Sequence, residues 1–472
     1  MISKISEYIT KNKLGFHTPG HQQGRGMNPT LKKILGNKFL LGDLTEVPGL
    51  DNLRNPEECL AESQALAAEL FGACKSFFLL NGSTVGIEAA ILGLNRRGGK
   101  VLVARNSHIS VINGLILSGG QPVLSPVVIE PKWGIPLGPD LTATKELVDR
   151  TVSLELATFT QPSYQGVGLE AHKLRQVIGP ELPILCDEAH GAHLFFQEQL
   201  AMSAQKERLD IVVQSTHKTL GALTQASMLH VNRPKLIQPI QEAIETLQTT
   251  SPSYLLMASL DGVQDQMRRE GSILITKSWE LAQYLRAKIK KIGGYVLLEE
   301  ELAGTWETDP SKLVLSAAGL GLTGWELAQI LNDKYGIIIE LSDYYYCLIL
   351  ITIGHSKQDI VRLCRALADI KNKYSRKPLS PLDIAVDMYN DSEEVRHTPR
   401  VVFQEEKDRI ALNKACGRIA GQALTVYPPG IPLIWPGQVI KAVHLEYLEW
   451  VTANGLPVHG LDRENKIAVL AC

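Results

Sequence analysis

Short apolar runs return at intervals along the first half of the chain: Phe77–Leu80, Val101–Ala104, Pro122–Pro126, Leu154–Thr158, Pro183–Cys186, Ile211–Gln214 and Ser227–Val231. Helix-like spacing separates most of them, and such alternation predicts an α/β fold with a mainly parallel sheet covered on both faces. In such sheets ligands bind beyond the carboxyl ends of the strands. Ahead of the sheet, Ile2, Ile5, Tyr8 and Ile9 share one face of a helix over residues 1–13. Leu60, Leu66, Ala67 and Leu70 do the same for a helix over Pro56–Leu70 that Gly72 ends.

Beyond the sheet the pattern predicts a helix over Pro234–Thr250, a connection Thr250–Asp261, and a long helix over Ser272–Ile292. A mixed unit follows: a strand Lys312–Ser316, a helix Gly324–Lys334, a β-rich stretch Gly336–Leu341, a strand Cys347–Thr352 and a helix Ser356–Lys373. Ser375-Arg-Lys-Pro-Leu-Ser-Pro381 is the best linker candidate. The expected units are therefore an N-terminal segment 1–45, a large domain 46–292, a small domain 293–374 and a C-terminal domain 375–472. In the last, the prolines and glycines of Tyr427–Gly437 set a rigid turn.

Polar residues gather where the apolar runs end. Asp210-Ile-Val-Val-Gln-Ser-Thr-His-Lys218 delivers Ser215, Thr216, His217 and Lys218 to the end of a strand. A lysine in that buried corner is either paired or loses its proton, and a neutral amine is a nucleophile for aldehydes. Asp187 closes the run Pro183-Ile-Leu-Cys, and a carboxylate partly out of water needs a cationic or hydrogen-bonded partner. Ala189, His190 and His193 follow it directly. In Asn81-Gly-Ser-Thr84, Ser83 and Thr84 stand where a small-residue helix exposes free N–H groups, as an anion site or as a plain N-cap. Arg105-Asn-Ser-His108 follows another strand, as does Thr160–Gly166 with Tyr164. Phe16-His-Thr-Pro-Gly-His-Gln-Gln-Gly24 holds His17 and His21, but no cysteine or carboxylate joins them locally. A loop tucked under a domain is expected there, and no metal site.

Charged residues make up 21% and hydrophobic ones 44%, and the net charge is −2, so no electrostatic case exists for nucleic acid or an anionic membrane. The 7 cysteines form no C-x-x-C pair, which suits a reducing compartment. The first residues lack signal-peptide character and no apolar run approaches the ~18 residues of a membrane helix. A cytoplasmic protein acting on a small molecule is expected.

Taken together, the segments from Phe16 to about Pro436 resemble the ornithine/lysine/arginine decarboxylases, which are fold-type I pyridoxal-phosphate enzymes. The resemblance lies in Ser215–Lys218 with Gly221 and Gln225-Ala-Ser behind it, in His17-x-Pro-Gly-His21, Asp43–Leu53, Arg105–His108, the Tyr164 loop, Glu340-Leu-Ser-Asp343 and Val401–Asp408. It implies an aspartate aminotransferase-like large domain with smaller α+β C-terminal domains. It also implies pyridoxal 5'-phosphate on Lys218, with the ring nitrogen at Asp187, the ring stacked by His108 and the phosphate at Ser83, Thr84 and Ser215. Ala189, His190 and His217 complete the lining, with Tyr164 in support; His217 or Lys218 is the proton donor. Thr250 or Ser251 either reaches the partner's phosphate site across a homodimer, or an oligomer of dimers, or caps a helix. Glu340 either meets a basic substrate or lies on an exposed edge. His190 stands where the large members carry an aromatic residue. No receiver-like domain fits before His17, so the shorter, constitutive form is expected. The implied activity is decarboxylation of a basic amino acid, arginine ahead of lysine and ornithine, feeding polyamine metabolism. An aminotransferase of the same fold and a non-catalytic cofactor-binding regulator are the alternatives, and the presence of both Asp187 and Lys218 speaks against the second.

Overall fold

The structure, a computed structural model, describes residues 1–11, 13–300, 302, 304, 306–374, 376–380, 395–426, 430–454 and 457–471. Ser375 and Pro381 of the expected linker, Tyr427–Pro429 of the expected turn, Asn12 and Cys472 lie outside the described residues.

In chain order the first strands are β1 (Lys75–Leu79), β2 (Lys100–Ala104), β3 (Gln121–Ser125), β4 (Val127–Glu130), β5 (Ile135–Pro139), β6 (Leu154–Thr160), β7 (Val167–Gly168), β8 (Ile184–Asp187), β9 (Ile211–Gln214) and β10 (Ser227–Val231). One 7-stranded sheet has the order β1-β10-β9-β8-β6-β2-β3. It is parallel from β9 to β3, and β10 runs antiparallel to both neighbours. Helices α1 (Ile2–Thr10), α2 (Pro29–Leu35), α3 (Asn37–Leu41) and α4 (Cys59–Leu70) precede the sheet. Helices α5 (Gly82–Leu94), α6 (Ile109–Ser118), α7 (Leu141–Arg150), α8 (His172–Ile178), α9 (Thr216–Thr219) and α10 (Ile237–Leu247) alternate with its strands or follow them.

Successive residues of a strand point to opposite faces, which explains the unbroken apolar runs. Val101 and Val103 join a core with Ile87, Ile91, Val111, Leu115 and Ile240 of α5, α6 and α10. Leu102 and Ala104 join another with Leu147, Leu174 and Ile178 of α7 and α8. Each such valine, leucine or isoleucine stabilises the fold by roughly 1.5–3 kcal/mol on full burial. Register then aligns the strand ends: Thr160 lies opposite Asp187, Asp187 opposite Val213, and Leu79 opposite Ser227. The segments that leave β1, β2, β6, β8 and β9 therefore emerge along one edge.

Helix α11 (Tyr254–Ile292) runs 39 residues, beginning well ahead of the expected Ser272. Its buried stripe of Tyr254, Met257, Leu260, Val263 and Met267 also includes Asp261 and Gln264, which hides the helical period from a hydropathy reading. Asp261 is accommodated because its carboxylate accepts the Ser63 hydroxyl and the Ile2 N–H. The far end of α11 supplies Ala282, Leu285 and Ile289 to a further core. That core lies under a 4-stranded sheet of β11 (Val296–Leu297), β13 (Lys312–Ser316), β14 (Leu341–Ser342) and β15 (Cys347–Leu350), while β12 (Glu307–Thr308) pairs with β7 of the first half. Helices α12 (Gly324–Tyr335) and α13 (Lys357–Lys373) close it, each begun by a capping box, Thr323 with Glu326 and Ser356 with Asp359. Of the expected β stretch Gly336–Leu341 only Leu341 is in a strand. Edge strand β14 pairs with β15 alone, and Ile338 is left 86% exposed. Helix α14 (Pro399–Gln404) opens the C-terminal region, whose core contains Leu424, Leu433, Ile440, Leu448 and Ile467. No helix among the described residues is long and apolar enough to cross a membrane.

Candidate active site

At the end of β9 the chain turns into α9, with Ser215 at its N-cap and Lys218 within it. Lys218 Nζ lies 3.0 Å from His190 Nε2 and 6.0 Å from the centroid of the Tyr164 ring. The Tyr164 and His190 rings pack with centroids 4.2 Å apart. Burial lowers the Lys218 pKa, and the charges of Asp187 and Glu340 work against that shift. Burial also drives His190 well below the usual histidine range, with Lys312 and Lys218 adding to it. A neutral His190 thus offers Nε2 as the acceptor for the lysine. Its Nδ1 is buried and has no hydrogen-bond partner among the described residues.

Asp187 ends β8 at 4% exposure. Its Oδ1 accepts the Ala189 N–H at 3.1 Å, and Oδ2 makes no hydrogen bond among the described residues. Burial raises its pKa, while His108 and Lys218 oppose the rise. His108 caps α6, its Nδ1 accepting the Ser110 N–H at 3.3 Å. Burial lowers its pKa against the attraction of Asp187. His217 Nδ1 faces the Ala226 carbonyl at 2.9 Å, which leaves Nε2 as the free atom of that ring. Burial lowers its pKa as well.

Ser83 and Thr84 occupy the first turn of α5, whose N-cap residue Asn81 makes no side-chain cap bond. The Ser215 hydroxyl meets Ser83 Oγ at 3.0 Å, so two strand ends share one cup. A side chain at Gly82, which has φ +68, would meet nothing within 4 Å, so the approach to this first turn is open, although the Gly82 N–H itself donates to the Gln225 carbonyl. Helix N–H groups, hydroxyls and the positive end of a dipole suit a phosphate.

Sequence reading left out a cluster from the second half. Lys312, 3% exposed, donates from Nζ to the Tyr164 carbonyl at 2.8 Å. Burial lowers it to about 8 despite Asp309. Asp309 is fully buried, and its Oδ2 lies 3.0 Å from His193 Nε2. Burial alone would raise its pKa, but the His193 and Lys312 charges hold it down at about 2. The pairing of β12 with β7 brings this cluster beneath the Tyr164 loop. One signal was available: Lys312 opens a buried strand, much as Lys218 closely follows one. Glu340 is exposed, as the edge alternative had it, yet its Oε1 accepts the Tyr164 hydroxyl at 2.7 Å.

Other residues stay apart. Thr250 and Ser251 are exposed, and the cap of α11 is Ser253, whose hydroxyl accepts the Leu256 N–H at 3.5 Å. The cap alternative for that pair is thereby corrected. The His17 loop lies on the surface and not under a domain, because Phe16, 93% exposed, has no apolar cover within the chain. His21 Nε2 meets Asp43 Oδ2 at 3.0 Å and its Nδ1 accepts the Gly24 N–H, so the ring is used in shaping the loop. No His, Cys, Asp and Glu cluster able to hold a metal ion occurs among the described residues.

The chain is similar to known proteins over nearly its whole length. The family model described as Orn/Lys/Arg decarboxylase, major domain, matches residues 1–302, and its C-terminal domain model matches residues 383–465. The arginine decarboxylase of Bacillus anthracis is 34% identical over 465 residues, covering 98% of this chain and 94% of that protein. That of Bacillus subtilis is 32% identical, with 97% and 94% covered. In fold, the chain is similar to the lysine decarboxylase of Francisella novicida, with a TM-score of 0.88 at 20% identity, covering 99% of this chain and 80% of that one. With a family model over most of its length and relatives above 30% identity across nearly all of it, the chain belongs to the Orn/Lys/Arg decarboxylase family and is a decarboxylase of basic amino acids.

Proposed function

We propose that this chain decarboxylates arginine, ahead of lysine or ornithine, with pyridoxal 5'-phosphate carried on Lys218. The observation that carries the reading is the corner in which Lys218 Nζ, 3.0 Å from His190, shares its charge environment with both Asp187 and Glu340. The residues present fit such a cofactor. Thr216 Oγ1, Ser107 Oγ and His190 Nδ1 are buried with no hydrogen-bond partner among the described residues, and the cup at Ser83 and Thr84 is open. When bound, the cofactor supplies an aldehyde for an amine and a ring that withdraws electrons from the amino acid's α-carbon.

Lys218 would hold the aldehyde carbon, Asp187 the ring nitrogen, His108 the ring face, and Ser83, Thr84 and Ser215 the phosphate. A protonated ring nitrogen gives Asp187 the cationic partner that its burial demands. Glu340, fixed by Tyr164, presents a carboxylate to the distal cation of a basic substrate. His217 Nε2, or Lys218 Nζ in its place, would return a proton to carbon. Arginine comes first because the relatives at 32–34% identity are named arginine decarboxylases, whereas those named lysine decarboxylases are 23–24% identical. Borohydride reduction of the purified protein followed by peptide mapping should place the cofactor on Lys218. Carbon dioxide release from arginine, lysine and ornithine should be fastest for arginine. A protein that binds no cofactor sinks the whole assignment, whereas one that prefers lysine sinks only the substrate.

We infer further that the working unit is a homodimer. Phe16, Leu31, Ile34 and Phe39 expose apolar surface along the N-terminal segment, and Thr250 and Ser251 expose hydroxyls. A second copy of the chain covers the first and uses the second.

A further inference from the structure

Helix α6 carries His108 at its N-cap, and both of its ends are held by the C-terminal region. At the near end Arg105, 1% exposed, donates from Nη2 to the Leu433 carbonyl at 3.2 Å and to Gln438 Oε1 at 3.1 Å. Gln438 is fully buried, and the same Oε1 accepts the Trp435 N–H at 3.1 Å. Trp435 itself packs into the core that contains Val111, Ile112 and Leu115 of α6. At the far end Arg400 donates from Nε to the Ile116 carbonyl at 2.7 Å and from Nη2 to the Leu117 carbonyl. The last carbonyls of a helix lack partners within it, and a cation there also suits the dipole. Gly119, at φ +77, leaves the room: a side chain would come 2.9 Å from Arg400 Nη1.

Among the described residues, the hydrogen bonds of the His108 ring reach only Ser110, two residues on. Ring orientation is therefore inherited from the loop Arg105–His108 and from the axis of α6, and both are clamped from more than 280 residues away in sequence. Burying a guanidinium is costly unless its partners are well placed. A fold that only needed to close this loop would do so with an apolar side chain.

We propose that Arg105, Gln438 and Arg400 are positioning residues for His108, so that the C-terminal region sets how this histidine meets the cofactor. The inference rests on the reading that His108 lies against the cofactor ring. It is tested by a double-mutant cycle on the full chain, comparing His108→Ala, Gln438→Leu and the pair. Pyridoxal 5'-phosphate dissociation is measured by absorbance titration of the resolved apoprotein, and hydrogen exchange of residues 105–118 is followed without cofactor. Gln438→Leu is expected to weaken cofactor binding roughly tenfold and to speed exchange at 105–112. With His108 already removed, the same change should cost less than about twofold. Gln438→Glu, which keeps the acceptor, should restore both readouts. Arg400→Ala, at the part-exposed far end, gives the same comparison if Gln438→Leu does not fold. Equal losses with and without His108, or unchanged exchange at 105–112, overturn the positioning role alone. An unchanged affinity in His108→Ala overturns the cofactor reading of His108, and this inference with it.

Discussion

Asp187 and Glu188 are adjacent carboxylates with opposite circumstances. Glu188 is fully buried, and its two oxygens accept the Ala204 N–H at 2.7 Å and the Gln214 amide at 2.6 Å. Asp187 accepts one backbone N–H and has an oxygen to spare. Asp187→Asn should keep the fold and the bound cofactor yet lose several decades of turnover, since a neutral amide cannot hold a ring proton. Each decade is ~1.4 kcal/mol of barrier, and steady-state rates within tenfold of the parent would remove Asp187 from the ring nitrogen. Glu188 belongs to stability instead. Burial raises it from 4.5 to about 7. Between those values the folded chain binds more protons than the unfolded one, so its contribution is full below pH 4.5 and is lost as pH rises to 7. The loss is roughly 3 kcal/mol. Glu188→Gln should flatten urea-unfolding stability between pH 5 and 7; a variant with the parent's slope would show that other groups set it.

The strand end is the element that organises the site, and β2, β8 and β9 were open to sequence reading because they are buried on both faces. Lys218, Asp187 and His108 could be singled out for the same reason: each is a polar residue directly behind an apolar run. What stayed hidden depends on pairing between distant segments. No local pattern joins Tyr164 to Glu340 or Lys312, because the contact exists only once β12 finds β7. The start of α11 was masked by Asp261 and Gln264 within its buried stripe. The grip of Leu433 and Gln438 on Arg105 leaves no periodic trace at all. For the cup at α5, Ser83→Ala and Ser215→Ala should each weaken cofactor binding about 10-fold or more, as expected for a hydrogen bond to a charged group. Pyridoxal lacking the phosphate serves as the control. Equal losses for both ligands would mean that the hydroxyls shape the helix turn and do not meet a phosphate.

At the scale of the whole molecule the proposed phosphate cup is open on one side. A phosphate carrying nearly two charges takes several hydrogen bonds, and the cup of one chain offers Ser83, Thr84 and Ser215 around an opening. Thr250 and Ser251 lie exposed on this single chain, ahead of a helix that Ser253 caps without them. The exposed Phe16, Leu31, Ile34 and Phe39 give a second copy apolar surface to bury, and two-fold closure is the commonest way for like chains to do so. The proposed homodimer would then share its sites, and subunit mixing tests this. One parent carries Lys218→Ala, the other substitutions at both Thr250 and Ser251, so each lacks a different part of the site. In a mixed dimer one of the two sites receives Lys218 from one chain and intact hydroxyls from the other. Activity should therefore appear on mixing that neither parent has alone, rising toward a quarter of the parent enzyme as exchange randomises the chains. If labelled subunits are seen to exchange and activity stays at the level of the parents, or if the active species sediments as a monomer, each chain builds its phosphate site alone.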